Sequence, residues 1–383
     1  MMTTRPNNGL LPIKQSLIAL LFIAAACNKP SRPLPPQPVS QPVKLERPAQ
    51  PAKNIVLMIG DGMGLSQISA GMIRNNNTLF LEQFPVVGLH KAYSSDNLIT
   101  DSAAGATAFA TGIKTYNGAI GVTADQNPAP TILEQAEERG MATGMVVTST
   151  VVHATPAAFI AHVKDRNMYE NIALGFLQTE IDLVIGGGSK YFNRRSDQRN
   201  IYGLLQEKGY YVSDFSIEPL TDIALDFTKN LAYFTSESDP PTVQQGRDYL
   251  VPASQLACNF LSRRSDKGFF LMIEGAQIDW AGHANNTSYM VSEMIEFDKA
   301  IGEVLKYAKE DGNTLIIVTG DHETGGFSIN QGSTRDSLVA GYTTDYHTGT
   351  LIPVFAYGPG ASLFSGIYEN NSIYDRMCAA MGW

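Results

Sequence analysis

Six short apolar runs punctuate the chain: NIVLMIG (54–60), GMVVTS (144–149), DLVIGG (182–187), FFLMIEG (269–275), TLIIVTG (314–320) and IPVFAYG (352–358). None alternates apolar with polar positions, so each predicts a strand covered on both faces. Between them the period changes to that of a helix. Across 289–310, Val291, Met294, Ile295, Ile301, Val304 and Leu305 fall on one stripe, and Gly312 supplies a stop. Residues 131–139 read the same way, with Gly140 after them. Buried strands alternating with helices predict an α/β fold of three layers, a mostly parallel central sheet with helices on both faces. Residues 190–265, charged and turn-rich, are the least legible stretch and stand as a candidate peripheral insertion.

The chain begins differently. Arg5 and Lys14 precede an apolar run at 17–26 (LIALLFIAAA), too short to span a bilayer, that leads directly into Cys27. Residues 1–26 read as a signal peptide, and AAAC resembles a lipobox, in which Cys27 becomes a lipidated N-terminus. Residues 27–53 are Pro-rich and read as an extended linker, leaving 54–383 as the folded domain. The expected location is exported, periplasmic or at the cell surface, tethered to a membrane through Cys27. Removing Arg5 and Lys14 takes the net charge from −9 to −11, which argues against nucleic acid as a partner. Cys258 and Cys378 could pair in an oxidising compartment, but spacing alone establishes no bridge.

Candidate chemistry gathers around Ser102 in TDSAAGATAFATG (100–112). The small residues after it predict a helix start whose first-turn N–H groups are open to an anion. A serine hydroxyl is a weak nucleophile without a base or metal, and no histidine lies near it in sequence. In open α/β sheets functional groups collect at the carboxyl ends of strands. Asp61 follows the first strand, Glu274 closes the fourth, and Asp321 and His322 follow the fifth. Asp279 and His283 stand four apart, one face of a helix, and His347 lies in DYHTGT. Each cluster alone is weak. Together they take three of six histidines and set them beside carboxylates, a donor mix that fits zinc, with magnesium where oxygen donors dominate.

The ordered segments NIVLMIGDGMG, TDSAAGATAFATGIKTYNGAIGV, HATPAAFIAHVKDR, FFLMIEGAQIDWAGH, TLIIVTGDHETGG and YHTGT resemble the alkaline phosphatase family, from about residue 54 to 360. Residues 190–265 carry no such motif. The resemblance implies two Zn2+ and one Mg2+. By it, Ser102 is the phosphorylated nucleophile, and Asp279, His283 and His347 hold the first zinc. Asp321 and His322, with Asp61 and Ser102, hold the second. Thr155 and Glu274, with the bridging Asp61, hold the third metal. Arg166 matches the arginine that clamps phosphate; without the match it would read as a surface arginine, and His162 in the same run as structural. The implied substrates are small phosphate monoesters, cleaved to alcohol and inorganic phosphate through a phosphoserine.

Two positions vary within that family, and some members carry Asp and Lys where this chain has His153 and Trp280. His153 makes zinc a credible third metal, and Trp280 removes a charge that would hold phosphate through water. The 24 residues between His322 and His347 are few, so both a monomer and a homodimer remain open. A phosphodiesterase or nucleotide pyrophosphatase of the same superfamily would favour a threonine nucleophile and lack the arginine. A surface lipoprotein that only binds metal or phosphate would need no nucleophile.

Overall fold

The computed structural model describes Leu45 and residues 48–383. The leader, Cys27 and nearly all of the linker lie outside the described residues. Ten strands form one sheet: β1 (Asn54–Gly60), β2 (Val86–Lys91), β3 (Ala142–Thr150), β4 (Leu183–Gly187), β5 (Tyr210–Asp214), β6 (Asn230–Phe234), β7 (Phe269–Gly275), β8 (Thr314–Thr319), β9 (Leu351–Tyr357) and β10 (Gly366–Glu369). Their order is β10-β2-β9-β8-β1-β7-β3-β4-β6-β5. Every neighbouring pair is parallel except the two that β9 makes with β8 and β2.

All six strands expected from the apolar runs are present, and β1, β3, β4, β7 and β8 are buried along their whole length. Helices cover both faces. On one side lie α1 (Leu65–Arg74), α8 (Leu250–Leu261), α9 (Gln277–His283) and α10 (Thr287–Asp311). On the other lie α2 (Ser102–Thr111), α3 (Ile132–Glu138), α4 (Ala154–Ile160), α5 (Tyr169–Gln178), α6 (Lys190–Asn193), α7 (Ile201–Glu207) and α11 (Ser372–Met381). Residues 190–265, set aside as a candidate peripheral insertion, continue the sheet instead. They supply β5 and β6 at one end, and α8 packs beneath β3. Short strands separated by turns left no long periodic signal there. Cys258 and Cys378 are both free thiols, packed on opposite faces of the sheet.

Among the described residues no helix is long and apolar enough to cross a membrane.

Candidate active site

The carboxyl ends of β1, β7 and β8 converge because the three strands are neighbours in the sheet. Asp61 leaves β1 into a turn whose next residue, Gly62, has φ +72. A Cβ there would sit 2.7 Å from the Asp279 Cα, so only glycine lets the β1 turn approach α9 this closely. Asp279 and His283, one turn apart on α9, face the same way, with Asp279 Oδ2 3.4 Å from His283 Nε2. Asp321 follows β8, where its Oδ1 accepts the N–H groups of Gly62 and His322 at 3.1 and 2.9 Å.

Ser102 begins α2 and is buried. Asp101 caps that helix by accepting the Ala104 N–H at 2.9 Å, so one of the first-turn donors expected to be open is already taken. The helix is buried on every side, which is why it is built of small residues. A Cβ at Gly105 would come 3.3 Å from that of Asp321. Ser102 Oγ lies 3.4 Å from His322 Nε2. Asp101 also holds Arg166, whose Nη1 donates to Oδ2 at 2.9 Å. That is the only hydrogen bond the guanidinium makes among the described residues, so its remaining donors are free toward the cleft.

The imidazoles are held in place by their other nitrogen. His347 Nδ1 donates to the Thr100 carbonyl at 2.9 Å and His283 Nδ1 to that of Asp345 at 2.6 Å. Their Nε2 atoms turn toward Asp279 and lie 3.1 Å apart, with His347 Nε2 3.5 Å from Asp279 Oδ1; the carboxylate of Asp279 pushes His283 up to about 9, so a cation bound there would displace a proton from it. His322 Nδ1 meets the Thr324 hydroxyl at 3.2 Å, and that hydroxyl donates to Asp279 Oδ1. Thr324 therefore braces two groups at once, a role the sequence reading did not give it. The signal was only its place two residues after His322.

Three sets of donor atoms lie close enough to hold a cation: Asp279, His283 and His347; Asp61, Asp279 and His322; and Asp61, His153 and Glu274. Asp321 falls outside the second set, although its Oδ2 is 3.2 Å from His322 Nε2. His153, expected beside the third site, is itself a member of the third set. Thr155 lies beside Glu274 at the start of α4, its buried hydroxyl close enough to temper the raised carboxyl.

The charge balance says what the sets are for. Asp61, Asp279, Asp321 and Glu274 are all buried together. Both oxygens of Asp61, Asp321 Oδ2, Glu274 Oε1, Thr155 Oγ1 and His153 Nδ1 are buried without a well-formed hydrogen bond, the nearest basic group to Asp61 and Asp321 being His322 at 3.5 and 3.2 Å. Burial, reinforced by neighbouring carboxylates, pushes Asp61 far up, Glu274 to about 8 and Asp321 to about 7. Asp279 is the exception, because despite its burial His283 and the other imidazoles hold it well below the usual carboxylate range. Burial likewise pushes His322 well down and His153 to about 3, so both present neutral lone pairs. Buried carboxylates with orphaned oxygens beside neutral imidazoles fit divalent cations, which would remove this repulsion.

Above these groups opens a cleft of about 380 Å³ lined by Ser102, Arg166, His153, Trp280, His347 and Tyr346, among others. Among the described residues Arg166 is the only lysine or arginine lining it. Tyr346, next to His347 in sequence, is a second residue the sequence reading passed over.

A chain that buries four carboxylates with no lysine or arginine among them in the described residues, and aims an arginine across a helix-start serine, is built for metal ions and an anionic substrate. Its class is a metal-dependent hydrolase. Residues 52–340 match the family described as Alkaline phosphatase, and the chain belongs to that family. It is 32% identical over 425 residues to alkaline phosphatase 3 of Bacillus subtilis, covering 86% of this chain and 89% of that one. It is 33% identical over 409 residues to the alkaline phosphatase of Escherichia coli, covering 87% of each. Its fold is similar to that of alkaline phosphatase from the Antarctic bacterium TAB5, with TM-score 0.82 and 44% identity, covering 87% of this chain and 99% of that one. Two variants of that enzyme, with one histidine replaced by glutamate or aspartate, hold magnesium in one of their metal sites. The chain is accordingly an enzyme of metal-dependent phosphate monoester hydrolysis.

Proposed function

We propose that Ser102 is the nucleophile and Arg166 the phosphate clamp of this hydrolysis. The observation that carries the reading is their placement in one cleft, Ser102 Oγ at the start of α2 and Arg166 fixed by the residue that caps the same helix. In the first step an Oγ–P bond forms as the P–O bond to the alcohol breaks, and the alcohol leaves with a proton. In the second, water attacks phosphorus, the Oγ–P bond breaks, and inorganic phosphate departs. Asp101 does the positioning for both steps, since it caps α2 and holds one edge of the guanidinium. Arg166 can then offer paired N–H donors to two phosphate oxygens, a geometry lysine does not copy.

We assign the first two donor sets, with Asp321 and Ser102 completing the second, to zinc. Divalent cations bound there neutralise the phosphate and acidify the hydroxyl that attacks it. The third set, with Asp61 and Glu274 supported by Thr155, takes magnesium or, because His153 offers an imidazole, zinc. In the Antarctic enzyme, exchange of a histidine for an acid accompanies bound magnesium, the direction expected if an imidazole disfavours that ion. We further read residues 1–26 as an export signal, Cys27 as a lipid attachment point and 27–53 as the tether.

The test is hydrolysis of a monoester and a diester by one purified sample whose metals are counted. Monoester turnover with two or three divalent ions per chain, lost by at least a thousandfold in Ser102→Ala, is the expected result. Preference for the diester, or full activity of Ser102→Ala, refutes the assignment.

A further inference from the structure

The ligand imidazoles belong to a stack of rings that runs outward from the nucleophile. His322, fully buried beside Ser102, lies 3.5 Å centroid to centroid from His347, with planes 16° apart. His347 in turn lies 4.5 Å from the ring of Tyr346, at 7°. Tyr346 ends the stack at the protein surface. It is 48% exposed and lines the cleft that holds Ser102 and Arg166, and among the described residues its ring–ring contacts are with His347 and His283. Trp280 lines the same cleft, its indole edge-on to His153 at 5.8 Å.

Phosphate needs none of this apolar surface. Its partners are Ser102, Arg166 and the cations, all deeper in the cleft. What must cross the mouth is the alcohol portion of the ester, the part of the substrate not yet accounted for. A half-exposed tyrosine normally gains nothing from standing free in water. This one is held parallel to His347, whose own ring is fixed by the Thr100 carbonyl, so little ordering is left to be done when a second flat group arrives.

Resting on the assignment of Ser102 and Arg166, we propose that Tyr346, with Trp280, forms a subsite for a planar leaving group. The enzyme then favours aryl and nucleoside monophosphates over esters of small polyols. The subsite acts on specificity and leaves the chemistry at phosphorus to the groups below it.

The test is a ratio of ratios. The kcat/KM for phenyl phosphate and for a nucleoside 5′-monophosphate is divided by that for glycerol phosphate, in the unmodified protein, Tyr346→Phe and Tyr346→Ala, all loaded with zinc and magnesium. Tyr346→Phe keeps the ring and should keep the ratio. Tyr346→Ala should lower it about fivefold for both planar substrates, the scale of one aromatic contact. Any disturbance of His347 slows all three substrates alike and cancels in the ratio. Equal losses on all three in Tyr346→Ala would overturn the subsite while leaving the phosphatase assignment intact. A failure of that assignment shows differently, as no hydrolysis of any of the three by the unmodified protein.

Discussion

Two of the places where the molecule buries acidic groups together treat them in opposite ways. Glu293 and Glu296, on α10, both receive the guanidinium of Arg247, and all three side chains are at most 8% exposed. Glu293 also accepts the Val243 N–H at 2.9 Å, and Arg247 Nη1 donates to the Pro241 carbonyl. Both oxygens of Glu293 and Oε2 of Glu296 are thereby hydrogen-bonded. At the carboxyl ends of β1, β7 and β8, by contrast, four carboxylates are buried with several oxygens unpartnered and no lysine or arginine among them. Both arrangements raise carboxyl pKa values through burial, and in the triad Arg247 opposes the rise. A chain that can supply its own counter-charge and does so in one place has left the other place for ions from outside.

The widest separation between the two clusters should come from removing metal. Chelation is expected to abolish monoester hydrolysis, with zinc restoring it, and to leave the Arg247 triad untouched. The metal-free protein should also show an unusual pH dependence. Glu274 and Asp321 sit at about 8 and 7 when folded, against 4.5 and 3.8 unfolded. Between those limits the two acids hold more protons when folded. Below about 6.5 that surplus of bound protons is offset by His322 and His153, which burial keeps neutral when folded, so it is from about 6.5 to about 8 that the stability of the metal-free protein falls as pH rises. Loading the ions should flatten that slope. Melting temperatures across this range, with and without chelator, would measure it, and identical slopes would erase the contrast.

Next in size is the triad itself. Arg247→Met removes the only cation from two buried glutamates and should cost about 3–5 kcal/mol in urea unfolding of the metal-loaded enzyme. The kcat of the protein that remains folded should be close to normal. A cost under about 1 kcal/mol would mean that solvent, not Arg247, screens these acids.

Smaller still is the effect expected at Thr324, which joins Asp279 to His322 by a single hydroxyl. Thr324→Val keeps the shape and removes the link, and zinc affinity should fall about tenfold, read by competition with a chelator. Unchanged affinity would show that the ligands are oriented by the backbone carbonyls alone.

Thr324 also marks where the sequence stops being informative. The central strands were legible because burial on both faces leaves an uninterrupted apolar run, as in FFLMIEG. The flanking strands were not. VVGLHK of β2 is exposed at alternate positions, and YYVSD and NLAYF of β5 and β6 are five residues each, between turns. The residues proposed as donors were legible as acids and histidines at strand ends in Asp61, Glu274, Asp321 and His322, at helical spacing in Asp279 and His283, and in DYHTGT for His347, and the fold brings all seven into one cluster. Groups that act through a neighbour left no mark of their own. Thr324, Asp101 and Tyr346 look like ordinary loop residues until segments more than 40 positions apart are placed in contact.

A third charge pair, half-buried, lies between the extremes and should show the smallest effect. His162 donates from Nδ1 to the Gly121 carbonyl at 2.6 Å and from Nε2 to Glu134 at 2.9 Å. Both ring nitrogens face acceptors, so the fold wants the imidazolium, and despite burial Glu134 raises the His162 pKa above 6.5. Glu134 is held below 4.5 in spite of its own burial by His162 and the Thr131 N–H. The histidine adds stability that is fully present below pH 6.5 and is lost as pH rises through its raised value. The glutamate adds stability that is present above 4.5 and is lost as pH falls through its lowered value. Glu134→Gln should therefore cost about 1 kcal/mol near pH 6 and almost nothing near pH 10. The Arg247→Met cost should not fade over the same range, because a guanidinium does not titrate there. If the two costs moved together with pH, the Arg247 triad would not be the fixed counter-charge that sets it apart from the metal cluster.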